Sequence, residues 1–145
     1  MRRISLVVLP VLGLVTLACP MKSAIWVVAG STRDHLEFGI SNKRGGTQSI
    51  EWGGLAIYDC RTDKPSRQHV YWVLERLPES WKGTWPISVT YGQAPIGFQS
   101  SRGPEALGPG CYEATVGGTG DIEFRLDSAG GVTELARPRG VLDSP

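Results

Sequence analysis

Hydrophobic and polar positions divide this chain into one apolar run followed by a series of short alternating segments. Ile4 to Ala18 is almost wholly apolar, and Met1-Arg2-Arg3 precedes it with positive charge. From His35 onward the pattern changes period. In His35-Leu36-Glu37-Phe38-Gly39-Ile40-Ser41 the apolar residues Leu36, Phe38 and Ile40 fall on one face of a strand. Lys43 to Thr47 reads as a turn. Ile50-Glu51-Trp52 opens a further run, Gly53-Gly54 interrupts it as a bulge or kink would, and Leu55 to Cys60 continues it.

Val70 to Leu77 fits two descriptions. Its β-branched and aromatic content favours a strand, while Val70, Val73, Leu74 and Leu77 also fit a helical face with Pro78 as a stop. The strand is the preferred reading, because the composition cue outweighs so short a period. Ile87 to Tyr91 alternates again. Cys111 to Val116 and Ile122 to Leu126 flank Gly117-Gly118-Thr119-Gly120 as a hairpin, and Val132 to Leu135 follows a second glycine turn. Seven or eight short strands with frequent turn signals predict an all-β protein, a β-sandwich.

The division that follows is a signal segment over 1–18, an anchor or linker with a first edge strand over 19–33, a sandwich over 34–135 and a tail over 136–145. A length of 145 residues suits one core. Nineteen Gly and ten Pro favour turns over long helices.

Charge removes one class of function. The whole chain carries +1, and loss of Arg2 and Arg3 with the leader leaves thirteen basic and fourteen acidic side chains, a net of −1. Nucleic-acid binding relies on Lys and Arg against phosphate, and there is no basic run here, so no nucleic-acid partner is expected.

The leader carries more information. Its fifteen mostly apolar residues suit a secretory signal. A membrane span needs about 20, and one extended to Ala29 would bury Lys22 at about 2.5–3.5 kcal/mol. Thr16 and Ala18 also satisfy the small-residue rule of signal peptidase.

Thr16-Leu17-Ala18-Cys19 resembles the lipobox of bacterial lipoproteins, with Thr16 and Leu17 standing where that family usually has Leu and a small residue. The resemblance implies a lipid thioether on Cys19, a membrane contact through that lipid, and a place in the bacterial cell envelope. A periplasmic or secreted soluble form is the alternative. Three cysteines in an exported chain leave one unpaired. Lipidation of Cys19 accounts for it and leaves Cys60 and Cys111 to form a disulfide.

Two stretches resemble immunoglobulin-like or fibronectin-type sandwiches. Cys60, Trp72 and Cys111 are similar to the Cys, Trp, Cys series of an immunoglobulin core. Leu107-Gly108-Pro109-Gly110-Cys111-Tyr112 is similar to a tyrosine corner. Cys111 directly precedes Tyr112, so the two face opposite sides of a strand. A Cys60 to Cys111 bridge is therefore either a core crossing or a surface clip.

Candidate chemistry is sparse. Asp34-His35-Leu36-Glu37 offers two ligand-type side chains on one strand face, fewer than zinc asks for, so no metal is expected. His69 follows Asp59 and Asp63 across a loop and could meet a carboxylate at one end of the sandwich, but no nucleophile motif accompanies it. Gly117 to Gly120 lies between strands with no helix behind it to receive a phosphate. No cofactor is expected.

Trp81, Trp85, Tyr91 and Phe98, interleaved with Pro and Gly, are the candidate binding surface, with plugging of the sandwich end as the alternative. The expected function is a non-catalytic binding or structural module facing an unknown envelope protein or ligand. A small envelope hydrolase using a His and carboxylate pair is the other reading.

Overall fold

A computed structural model describes residues 24–60, 68–80, 85–117 and 120–135. Nine strands lie among them: β1 (Ala24–Val27), β2 (Glu37–Ser41), β3 (Gly54–Asp59), β4 (Val70–Arg76), β5 (Ser88–Thr90), β6 (Phe98–Arg102), β7 (Gly110–Val116), β8 (Gly120–Leu126) and β9 (Val132–Leu135). One short 3-10 turn, Pro78–Ser80, is the only helical element among the described residues.

All pairings between strands are antiparallel, in a three-stranded sheet ordered β1-β2-β5 and a six-stranded sheet ordered β6-β4-β3-β7-β8-β9. The order β1-β2-β5 against β4-β3-β7-β8 follows strands A-B-E and C′-C-F-G of an immunoglobulin-like sandwich. β6 and β9 extend the larger sheet at its two edges.

Alternation decides which side chains fill the space between the sheets. Leu36, Phe38 and Ile40 are fully buried, as their period-2 spacing predicts, and meet Ile57, Trp72, Leu74, Ala114, Phe124 and Leu126 from the larger sheet. The Phe38 and Phe124 rings meet edge to face at 5.6 Å, joining the two sheets at their centre. Val70 to Arg76 is a strand, with Trp72 and Leu74 buried on alternate positions. The helical alternative would have placed Val73 inward with Leu74 instead.

Three local expectations are corrected. Ile50-Glu51-Trp52 forms no strand; β3 begins at Gly54, and Trp52 is buried as a loop side chain with Nε1 donating to Pro86 O at 3.1 Å. His35 lies in the turn bridged by Thr32 and His35, ahead of β2, and does not share a strand face with Glu37. β6 is an additional strand, polar and exposed after Phe98.

Gly39 marks a close approach. It sits opposite Trp26 in the β1–β2 pair, and a Cβ there would overlap the indole. Gly39→Ala is expected to displace the ring and lower stability by about 1–3 kcal/mol, the usual range for overpacking. A urea titration checks this; an unchanged midpoint would mean that the indole moves aside freely.

Candidate functional site

The disulfide end of the sandwich carries a connected cluster of polar groups. Cys60 and Cys111 are bonded to each other across the neighbouring strands β3 and β7, with Cα atoms 5.3 Å apart and Cys60 N donating to Cys111 O at 3.1 Å. Both are half-buried, and the bridge lies within one sheet. It is therefore a clip at the strand ends and does not cross the core. The reason is Tyr112, which takes the inward position beside Cys111, stacks on Phe124 at 5.5 Å and donates from its hydroxyl to Gly108 O at 2.8 Å. That is the tyrosine corner. The immunoglobulin-like cysteine and tryptophan arrangement does not form, because Trp72 stands on β4 and donates from Nε1 to Ser100 Oγ at 2.9 Å.

A β-bulge builds the next layer. Ile57 pairs with Trp72 and Tyr58 with Val70, so Tyr71 is the extra residue on β4. A bulge re-aims its side chain. Tyr71 packs against the core cluster, edge to face with Tyr112 at 5.1 Å, and its hydroxyl donates to Asp59 Oδ1 at 2.9 Å. Asp59 Oδ2 accepts from His69 N at 3.2 Å, and Asp59 O accepts from Gln68 Nε2 at 3.0 Å.

Segment 102–105 closes the cluster from the other side. His69 Nε2 lies 2.6 Å from Glu105 Oε2, Arg102 Nη2 lies 3.9 Å from Glu105 Oε1, and Glu105 N donates to Tyr71 O at 3.0 Å. Gly103 has φ +70 and no room for a Cβ against Tyr71 O, so glycine is required at this crossing. Tyr91, just after β5, donates from its hydroxyl to Glu105 O at 2.8 Å and ties the smaller sheet into the set.

These contacts tie the ends of β3, β4 and β7 and the segment after β6 to one another. A histidine and carboxylate pair needs a nucleophile or a substrate proton within reach. Tyr71, whose ring lies 4.6 Å from that of His69, has its pKa pushed up to about 12, first by burial and then by its bond to Asp59, so it keeps its proton at neutral pH. No group of three His, Cys, Asp or Glu side chains among the described residues is placed to hold a metal ion.

The tyrosines give a test. Burial also raises the pKa of Tyr91 and of Tyr112. Below about pH 10 both folded and unfolded chains keep these protons. Above it the unfolded chain ionises first, so stability is expected to fall as pH rises from about 10 toward about 12. Tyrosinate absorbance for these three should rise together with unfolding. Titration of more than one of the four tyrosines near pH 10 in a chain that stays folded would contradict the placement of these three.

The aromatic candidates lie elsewhere and are mostly turned inward. Phe98 is buried and stacks on Trp52 at 4.3 Å, while Trp85 is half-buried beside both rings, with the Arg76 guanidinium 3.1 Å over its face. Tyr91 belongs to the polar cluster at the other end and meets Trp72 edge to face at 5.2 Å. Trp81 and Cys19 lie outside the described residues. Of the candidate aromatics, the three that are described do not gather on one exposed face: Phe98 and Trp85 plug one end of the sandwich, and Tyr91 stands at the other.

One open feature escaped the sequence reading. The outer face of the larger sheet has an apolar groove of about 240 Å³, lined by Gly53, Gly54, Ala56, Val73, Thr115 and Gly117. Tyr58 and Glu75 also line it, and the small residues between them, Gly54, Ala56 and Val73, are what leave it open. No family model, curated protein or solved structure matches the chain.

Proposed function

We propose that this chain is an exported, non-catalytic β-sandwich module, held at a bacterial envelope membrane by a lipid on Cys19 and serving there in binding or structural support. The observation that carries the reading is the Cys60 to Cys111 disulfide. A disulfide persists in an oxidising compartment, and this one uses two of the three cysteines, leaving Cys19 directly after the apolar run. The non-catalytic part is supported by the polar end, where strand ends are tied together and the tyrosine hydroxyls keep their protons.

Cys19→Ser is the test. The parent chain is expected in the membrane fraction carrying incorporated fatty acid, and the variant without it. A parent chain found only in the soluble fraction would sink the anchor.

The 2.6 Å contact of His69 with Glu105 favours a second reading, a small envelope hydrolase. Loss of a purified hydrolytic activity in Glu105→Gln, with the fold intact, would turn the balance toward it. Among the described residues, no serine or cysteine side chain is bonded to His69, which weighs on the other side.

A further inference from the structure

We infer that the end of the sandwich opposite the disulfide is a lipid-contacting face, seated on the same bilayer that holds the Cys19 lipid. The inference rests on the anchor proposed above and adds an orientation to it. Ala24 opens β1 and pairs with Ser41, the last residue of β2, so the chain enters the fold at that end. Ile40 N donates to Ile87 O at 2.8 Å, which places Ile87 there too. In the larger sheet Arg76 pairs with Phe98, Leu77 N donates to Gly97 O and Phe98 N donates to Pro95 O, so Ile96 occupies a turn at the corresponding end. The two sheets are coupled there by Trp52 Nε1 donating to Pro86 O and by the Trp85 and Phe98 rings, 6.4 Å apart.

Ile87 and Ile96 are the large hydrophobic residues left exposed among the described residues, at 40% and 99%. Single exposed apolar side chains are ordinary. What sets these two apart is a shared end and a short tether. Four residues lie between Cys19 and Ala24, five chain steps that reach at most about 18 Å when fully extended.

A lipid on Cys19 therefore keeps this end close to the bilayer, within range of a boundary into which apolar side chains insert by about 5–10 Å. The opposite end, with Asp34, Asp59, His69 and Glu105, is left facing water. Arg44 after β2 is paired with Glu134, and exposed Lys43 stands against exposed Glu51 and Glu79, so the described residues of this end carry no excess of basic charge.

The test uses the full chain purified from membranes and returned to phosphatidylethanolamine and phosphatidylglycerol vesicles containing nitroxide-labelled lipid. Ile87→Cys, Ile96→Cys and Asp34→Cys each carry a thiol-linked fluorophore, and the parent chain is treated with the same reagent. The parent should take no label, and quenching at positions 87 and 96 should exceed that at 34 several-fold. Equal quenching at all three, with an unlabelled parent, would overturn the orientation and leave the anchor standing. Label on Cys19 of the parent would overturn the anchor, and this orientation with it.

Discussion

Phe124→Ala is expected to lower the unfolding free energy by about 3–5 kcal/mol, the usual cost of emptying a buried aromatic site. Phe124 is fully buried on β8 and is the ring on which the two sheets meet: Phe38 meets it edge to face from β2 at 5.6 Å and Tyr112 stacks on it from β7 at 5.5 Å. Alanine there removes contacts to both sheets, and the strands on either side are held by their ladders, so the space cannot close fully. Denaturant titration with the disulfide intact measures the loss. Ile96→Ala, at 99% exposure, is the control and should change stability by less than about 0.5 kcal/mol. Equal effects from the two would mean that the sheets do not pack as described.

Removal of the disulfide should be nearly as costly. Cys60 and Cys111 are 51 residues apart, and a loop of that length constrains the unfolded chain by about 4 kcal/mol in the chain-entropy model. A domain of this size has about 5–15 kcal/mol in all, so the reduced protein is left near its limit. The clip lies at the ends of β3 and β7, away from the packed centre, so reduction should shift the urea midpoint without changing strand content in native buffer. The double variant Cys60→Ala with Cys111→Ala should match the reduced parent. Strand signal lost on reduction without denaturant would instead make the bridge a condition of folding.

How far the chain could be read depended on whether the information was local. Leu36, Phe38 and Ile40 announce β2 because alternate positions meet the core and nothing else competes for them. Tyr112 could be placed from Gly108 onward because the tyrosine corner is closed within four residues. The adjacency of Cys111 and Tyr112 already held the choice between a clip and a core bridge; what resolved it was which of the two faced inward.

The rest depended on register and on distant segments. β6 has one buried apolar residue, Phe98, followed by exposed Gln99, Ser100, Ser101 and Arg102, so an edge strand left no alternation to read. Tyr71 reaches Asp59 through a one-residue shift against β3, which no local period encodes. His69 meets Glu105 across 36 residues, while Asp59, one of the two carboxylates the sequence suggests for it, accepts from the backbone of His69; the other, Asp63, lies outside the described residues. The aromatic plug is assembled from Trp52, Trp85 and Phe98 on three separate segments, and its inward turn follows from Trp52 leaving the strand path ahead of Gly54.

The most direct test of an exported, lipid-held sandwich is the intact mass of the chain from the membrane fraction, before and after reduction with thiol alkylation. The expected result is the mass of residues 19–145 plus acyl groups, no alkylation before reduction and two alkylated thiols after it, from Cys60 and Cys111. A chain of bare mass in the soluble fraction, or one with a free thiol before reduction, would contradict it.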